Sequence, residues 1–142
     1  MPDLQIRQPG VESLELPSAV VANSRGHVFV ADPGAKTVHI FDFSRSRYSV
    51  LEARGDHLSS PVALAVDAED NLYVSDQTSR TILVYDGAGK FRRRLGQLRG
   101  GEVYFESAGG IAVDRRTGNL YVCDTLRNMV VVMDGEGTFS EQ

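Results

Sequence analysis

An all-β fold made of three repeated four-stranded units is predicted, and two observations predict it. The first is the stretch Asn71-Leu72-Tyr73-Val74-Ser75-Asp76. It has counterparts at Val28-Phe29-Val30-Ala31-Asp32 and Asn119-Leu120-Tyr121-Val122-Cys123-Asp124. The three Asp residues stand 44 and 48 positions apart (76 − 32 and 124 − 76), a spacing that marks a repeat architecture. The second observation is the lack of any helical period. Short runs rich in β-branched and aromatic residues recur instead between turn signals.

Each unit reads in the same order. It opens on an apolar residue three positions ahead of a proline slot: Leu14 before Pro17, Leu58 before Pro61, and Phe105 before Ala108, where the proline is lost. The apolar residue is expected to plug the gap between neighbouring units. Pro fixes φ at the start of a strand, where no ladder donor is required. First strands are expected at Ala19–Ala22, Ala63–Val66 and Gly110–Val113, whose small side chains suit a crowded centre. The repeated Asp-terminated stretch is the second strand. Third strands are expected at Thr37–Phe41, Thr81–Tyr85 and Met129–Met133. Hairpin turns at Asp86–Lys90 and Asp134–Gly137, with Ser44–Arg47 a less regular version, lead to the outer strands. These are expected at Tyr48–Leu51 and Phe91–Leu95; the third begins at Thr138-Phe139 and is expected to be incomplete. Ahead of them Leu4-Gln5-Ile6 is expected to form a short strand in an arm over 1–13. The units then run 14–57, 58–104 and 105–142.

Antiparallel units of this kind, apolar on both strand faces, read as blades of a β-propeller, where each blade is sandwiched by its neighbours. Three blades are too few to close a ring. Two chains are therefore expected to close one six-bladed ring as a homodimer, with the N-terminal strand flanking the partner's last outer strand. A fragment of a longer chain is the other way to supply the missing blades.

The units resemble NHL repeats. The resemblance is carried by Gly109-Gly110-Ile111-Ala112-Val113-Asp114, by Gly118-Asn119-Leu120-Tyr121-Val122-Cys123-Asp124-Thr125, and by Arg80-Thr81-Ile82-Leu83-Val84-Tyr85-Asp86-Gly87. It covers about residues 14–142. Departures are Asn23 for the Asp ending the first strand, Pro33 for Thr, and Asn128-Met129 for Arg-Ile. The resemblance implies a β-propeller, commonly six-bladed. It implies no single activity, because such folds serve as protein-binding platforms, RNA-binding domains, receptor sensors and a few metal-dependent lyases.

Composition narrows the functions. With 142 residues, 42% hydrophobic, 24% charged and a net charge of −4, the chain has no bulk attraction for nucleic acid, and none is expected as partner. No apolar run approaches the ~20 residues that span a bilayer, so no membrane is expected. No secretory signal is visible at Met1-Pro2-Asp3, and the compartment is unknown, cytoplasmic by default. Cys123, the single cysteine, aligns with Ala31 and Ser75 and is expected to be a small space-filler.

No catalytic, cofactor-binding or metal-binding set emerges. Asp32, Asp76 and Asp124 resemble a carboxylate cluster, yet one per unit at the same place points to a structural acceptor for turn N–H groups. His27, His39 and His57 lack ligand spacing, and His39 is expected to be a partly exposed strand residue. Arg54-Gly55-Asp56 spells an adhesion tripeptide, but turn chemistry explains it better. Arg92-Arg93-Arg94 is expected to blunt an outer edge. The loops leading into first strands, and those joining second to third strands, share one face of a propeller. That face carries Arg54, His57, Arg80, Arg99, Tyr104 and Arg127 as candidate recognition residues for a protein or small molecule. The expected function is a non-enzymatic recognition or scaffold module. The competing expectation is a metal-dependent lyase or lactone hydrolase.

Overall fold

The computed structural model describes residues 14–51 and 58–139. The expected arm over 1–13, Arg54, His57, the adhesion-like tripeptide and the last three residues lie outside the described residues. Among the described residues eleven strands form three antiparallel sheets, each in sequence order. The first blade holds β1 (Ala19–Ala22), β2 (His27–Asp32), β3 (Thr37–Asp42) and β4 (Arg47–Val50). The second holds β5 (Pro61–Val66), β6 (Leu72–Asp76), β7 (Thr81–Tyr85) and β8 (Phe91–Leu95). The third holds β9 (Ala108–Val113), β10 (Leu120–Asp124) and β11 (Met129–Met133), and Phe139 makes a single bridge to Met133 where a fourth strand would begin. One 3-10 turn, Arg99–Gly101, is the only helical element described.

The blades stack through their inner strands: β1 and β2 lie against β5, and β5 and β6 lie against β9. Strand registers sort the side chains onto faces, because directly paired residues of an antiparallel sheet point the same way. In the second blade the row Leu64, Val74 and Leu83 faces the first blade. The row Tyr73 and Val84, with Ile82 beside it, faces the third. Two separate apolar cores result, one in each junction.

Leu58 and Phe105 sit inside these cores as the blade-to-blade plugs. Burying each contributes about 1.5–3 kcal/mol. The second plug depends on Gly96, which holds φ at +93° and whose absent side chain makes room. A Cβ there would come within 2.8 Å of the Phe105 ring. Pro61 opens β5, with a register shift directly after it, so its missing N–H interrupts no continuing ladder.

The structure corrects three expectations drawn from the sequence. His39 is only 4% exposed rather than partly exposed, because the Tyr48 and Phe41 rings flank it. Cys123 is exposed, while its counterparts Ala31 and Ser75 are fully buried. Its face of the third blade has no neighbour among the described residues. The arginine triplet does more than blunt an edge: Arg94 donates to the buried Thr81 hydroxyl at 2.6 Å, and Arg93 reaches into the third blade.

Candidate functional site

The repeated carboxylates end the second strands, and each accepts backbone amides of the loop leading into the first strand. Asp76 accepts the Ser59 and Ser60 amides through Oδ2 and those of Thr78 and Ser79 through Oδ1, at 2.7–3.2 Å. Asp32 accepts the amides of Glu15, Leu16 and Ala35, and Asp124 those of Glu106 and Ser107. All three are buried. Sequence reasoning anticipated the following turn as donor. It missed the loop leading into the first strand, 16–18 residues upstream, which no local pattern connects to the Asp. Asp32 and Asp76 thus each staple two loops of the same face, while Asp124 holds only the upstream one through its two amide bonds.

Asp32 differs from its two counterparts by a buried histidine partner. The His39 Nε2–H donates to Asp32 Oδ2 at 2.8 Å, and the Tyr48 hydroxyl donates to His39 Nδ1 at 2.8 Å. The assignment follows from Asp32 being acceptor-only when ionised, which places the imidazole proton on Nε2. Burial acts to raise the Asp32 pKa. The His39 bond and the amides of Glu15, Leu16 and Ala35 outweigh it and hold the carboxyl below its ordinary 3.8. Burial, and then the Asp32 charge, push the Tyr48 hydroxyl above its ordinary 10.0, so the phenol stays a donor. The relay links β2, β3 and β4, and Leu83 and Val131 hold the place of His39 in the other blades.

Among the described residues, the row that holds this relay is buried at its centre and open at its two ends. Register places Val20, Val30, His39 and Val50 in one row across the first blade. Val20 is 66% exposed and Val50 43%, and an apolar groove of about 380 Å³ runs along Leu14, Pro17, Val20 and Val30. The third blade has the matching open face, where Ala112, Tyr121 and Val132 form one row beside Cys123 and Val130. Val130 is 48% exposed.

The loop face carries the remaining candidates. Tyr104 and Arg127 come together: the guanidinium carbon lies 5.2 Å from the Tyr104 ring centroid, and Arg127 also pairs with Glu106 at 3.5 Å and Asp124 at 3.8 Å. Tyr104 lies against Phe139 with ring centroids 4.2 Å apart and the rings tilted by 33°, and it meets Phe105 edge-on. Arg80 stands exposed on the neighbouring blade, at positive φ in the turn after Asp76, and is not joined to this pair. The Arg99 side chain lies outside the described residues, as do Arg54 and His57. Among the described residues no group of three or more His, Cys, Asp and Glu side chains is placed to hold a metal ion.

Comparison with known proteins gives one family. The DUF5128 family, described as "6-bladed beta-propeller", matches residues 20–142. No curated protein matches the chain. Among solved structures, virginiamycin B lyase from Staphylococcus aureus is similar with a TM-score of 0.71 at 11% identity, over 89% of this chain and 40% of that one. A streptogramin B lyase structure gives 0.73 at 14% identity, over 92% and 41%. Kuenenia stuttgartiensis hydrazine synthase gives 0.70 at 18% identity, over 96% and 38%. At such identities the likeness shows the fold alone, and the chain spans about two fifths of these structures.

Proposed function

The chain belongs to the family of six-bladed β-propellers, and on that premise we propose that it is a non-enzymatic recognition or scaffold module. In this reading its three NHL-type blades are one half of a ring that a second copy completes. The observation that carries it is the pair of open apolar faces. Val20 and Val50 mark one side of the stack and Val130 the other, while Leu64 and Ile82 at matching places in the middle blade are 8% and 0% exposed.

Such faces need a neighbour, because apolar patches of a few hundred Å² are seldom left bare in a soluble monomer. A twofold pair would lay each third blade on the partner's first blade and cover all four faces together. The apolar groove along Leu14 and Val30 would then receive a blade, as its counterpart along Leu58, Leu64 and Val74 does within the chain. The ring's loop face would present Tyr104, Arg127 and Arg80 to a protein or small-molecule ligand. The repeated carboxylates, each engaged by loop amides, serve the scaffold.

Light scattering at micromolar concentration tests this. A mass of twice 15.5 kDa is expected. A well-folded monomer overturns the self-completed ring, and a stoichiometric bound divalent ion overturns the non-enzymatic reading in favour of a metal-dependent lyase.

A further inference from the structure

The two blade junctions are built alike but filled differently on the face opposite the loop face. Between the second and third blades the space is closed by two polar side chains of the second. Arg93 donates through Nε and Nη2 to the Gly135 carbonyl at 3.2 and 3.0 Å, and its guanidinium lies 3.7 Å from Glu136. The Tyr73 hydroxyl donates to Asp67 and stands 3.4 Å from where a Gly135 Cβ would be. Register identifies their counterparts in the first blade. Arg93 pairs with Val84 as Ser49 pairs with Ile40, and Tyr73 corresponds to Phe29. Gly135 corresponds to Gly87 in the preceding hairpin.

The first junction therefore lacks both the guanidinium and the hydroxyl, and a cleft opens there. One lobe, about 410 Å³, is lined by Phe29, Ile40 and Ser49, by the Gly87–Gly89 hairpin, and by Arg25, His27, Asp42, Arg45 and Arg47. An adjoining lobe of about 510 Å³ is walled by Ile40, Val50, Phe91 and Lys90.

Positive charge outnumbers negative in the first lobe, although Arg25 also borders an adjoining hollow with Glu69 and Asp86 and, after the Ser24 hydroxyl and amide, its charge helps hold the Asp70 carboxyl low. Asp42 is the one carboxylate in the first lobe, and it is engaged by His27 at 3.3 Å and by the Ser44 hydroxyl at 2.8 Å. Arg25, Arg45 and Arg47 form no salt bridge among the described residues. Arg25 is held in place across the junction. Its neighbour Ser24 donates its amide at 2.9 Å, and its hydroxyl, to Asp70 of the second blade. The Arg25 guanidinium carbon lies 4.0 Å from where a Gly87 Cβ would sit, so a side chain at Gly87 would crowd it. The corresponding second-blade positions carry Glu69 for Arg25 and Phe91 for Arg47, so the cationic set is confined to the open junction.

We propose that this cleft binds a small organic phosphate, with the dianionic head among Arg25, Arg45 and Arg47 and an apolar body on Ile40, Val50 and Phe91. Guanidinium groups match phosphate oxygens in paired geometry, and the second lobe supplies apolar wall beside the charged one. The junction lies within one chain, and of its lining only Val50 also belongs to the row that the proposed partner blade would cover.

1-Naphthyl phosphate, inorganic phosphate and 1-naphthol are the probes, followed by calorimetry on the whole chain. Naphthyl phosphate is expected to bind at least about tenfold more tightly than either part alone. Ser49→Arg rebuilds the plug of the other junction and is expected to weaken binding by about tenfold or more at unchanged Tm. Arg45→Gln is expected to weaken it while leaving 1-naphthol unaffected, and Arg93→Ser to leave it as it was. No saturable binding of naphthyl phosphate, or binding that Ser49→Arg and Arg45→Gln both leave intact, overturns the proposal. Equal affinity for 1-naphthol overturns the role given to the arginines.

Discussion

The middle blade and the two outer blades are written in nearly the same residues, yet they meet solvent differently. Leu64 is 8% exposed, and its counterpart Val20 is 66%. Ile82 is fully buried, and its counterpart Val130 is 48% exposed. Ser75 is buried, and the matching Cys123 is open. Local sequence does not make this difference; a neighbouring blade does. A blade is a sheet with two apolar faces, and it is complete only when both are covered.

The largest expected effect comes from placing one charge at matching positions of the two kinds of blade. Leu64→Glu buries an unpaired carboxylate in the first junction and is expected to cost about 4 kcal/mol or more, enough to abolish a cooperative melt. Val20→Glu should leave the melt of the separate chain nearly unchanged and reduce the mass in solution to one chain. If Val20→Glu unfolds the protein as Leu64→Glu does, the first blade has no open face and the comparison breaks.

A smaller effect is expected at the stapling carboxylates. Asp76→Ala strands four amide donors and should lower stability by about 1–3 kcal/mol, read as a fall in Tm. His39→Leu at the first blade copies Leu83 of the second, and tests whether the relay is an addition to the staple or a condition of it. An unchanged Tm for Asp76→Ala would remove the structural role.

Acid gives the mildest separation. The pKa of Asp32 is lowered despite burial by His39 and the backbone amides, and that of Asp70 chiefly by the Ser24 hydroxyl and amide. Both folded values lie below the unfolded 3.8. Their contribution is therefore fully present above pH 3.8 and is lost as pH falls through the folded values. Thermal melts between about pH 5 and pH 2 should show Asp70→Asn with a weaker acid dependence than the parent. Parallel curves would mean that the Ser24–Asp70 link contributes nothing in solution.

Much of the fold was legible because blade strands alternate with strong turn signals. Thr81–Tyr85 and Leu120–Asp124 lie where β-branched and aromatic runs put them. What needed the structure was anything set by another blade. The loop donors to Asp76 come from residues 16–17 positions away, which turn chemistry cannot reach. Arg93 reads as one of three edge arginines until register makes it the counterpart of Ser49, where one closes a junction and the other leaves it open. His39 reads as a lone strand histidine because Tyr48 and Asp32 flank it only after the strands pair.

The most direct test of the completed ring uses the one cysteine. Within the chain β2 lies against β5, and Ala31 shares a core with Leu64. Cys123 corresponds to Ala31 and Val20 to Leu64, so a third blade seated on a second copy's first blade puts Cys123 and Val20 of that copy in one junction core. Mild oxidation of Val20→Cys at micromolar concentration is predicted to give a covalent dimer. Neither the parent nor Val20→Cys with Cys123→Ser should form it. A Val20→Cys chain that stays monomeric under oxidation while melting like the parent would contradict the ring.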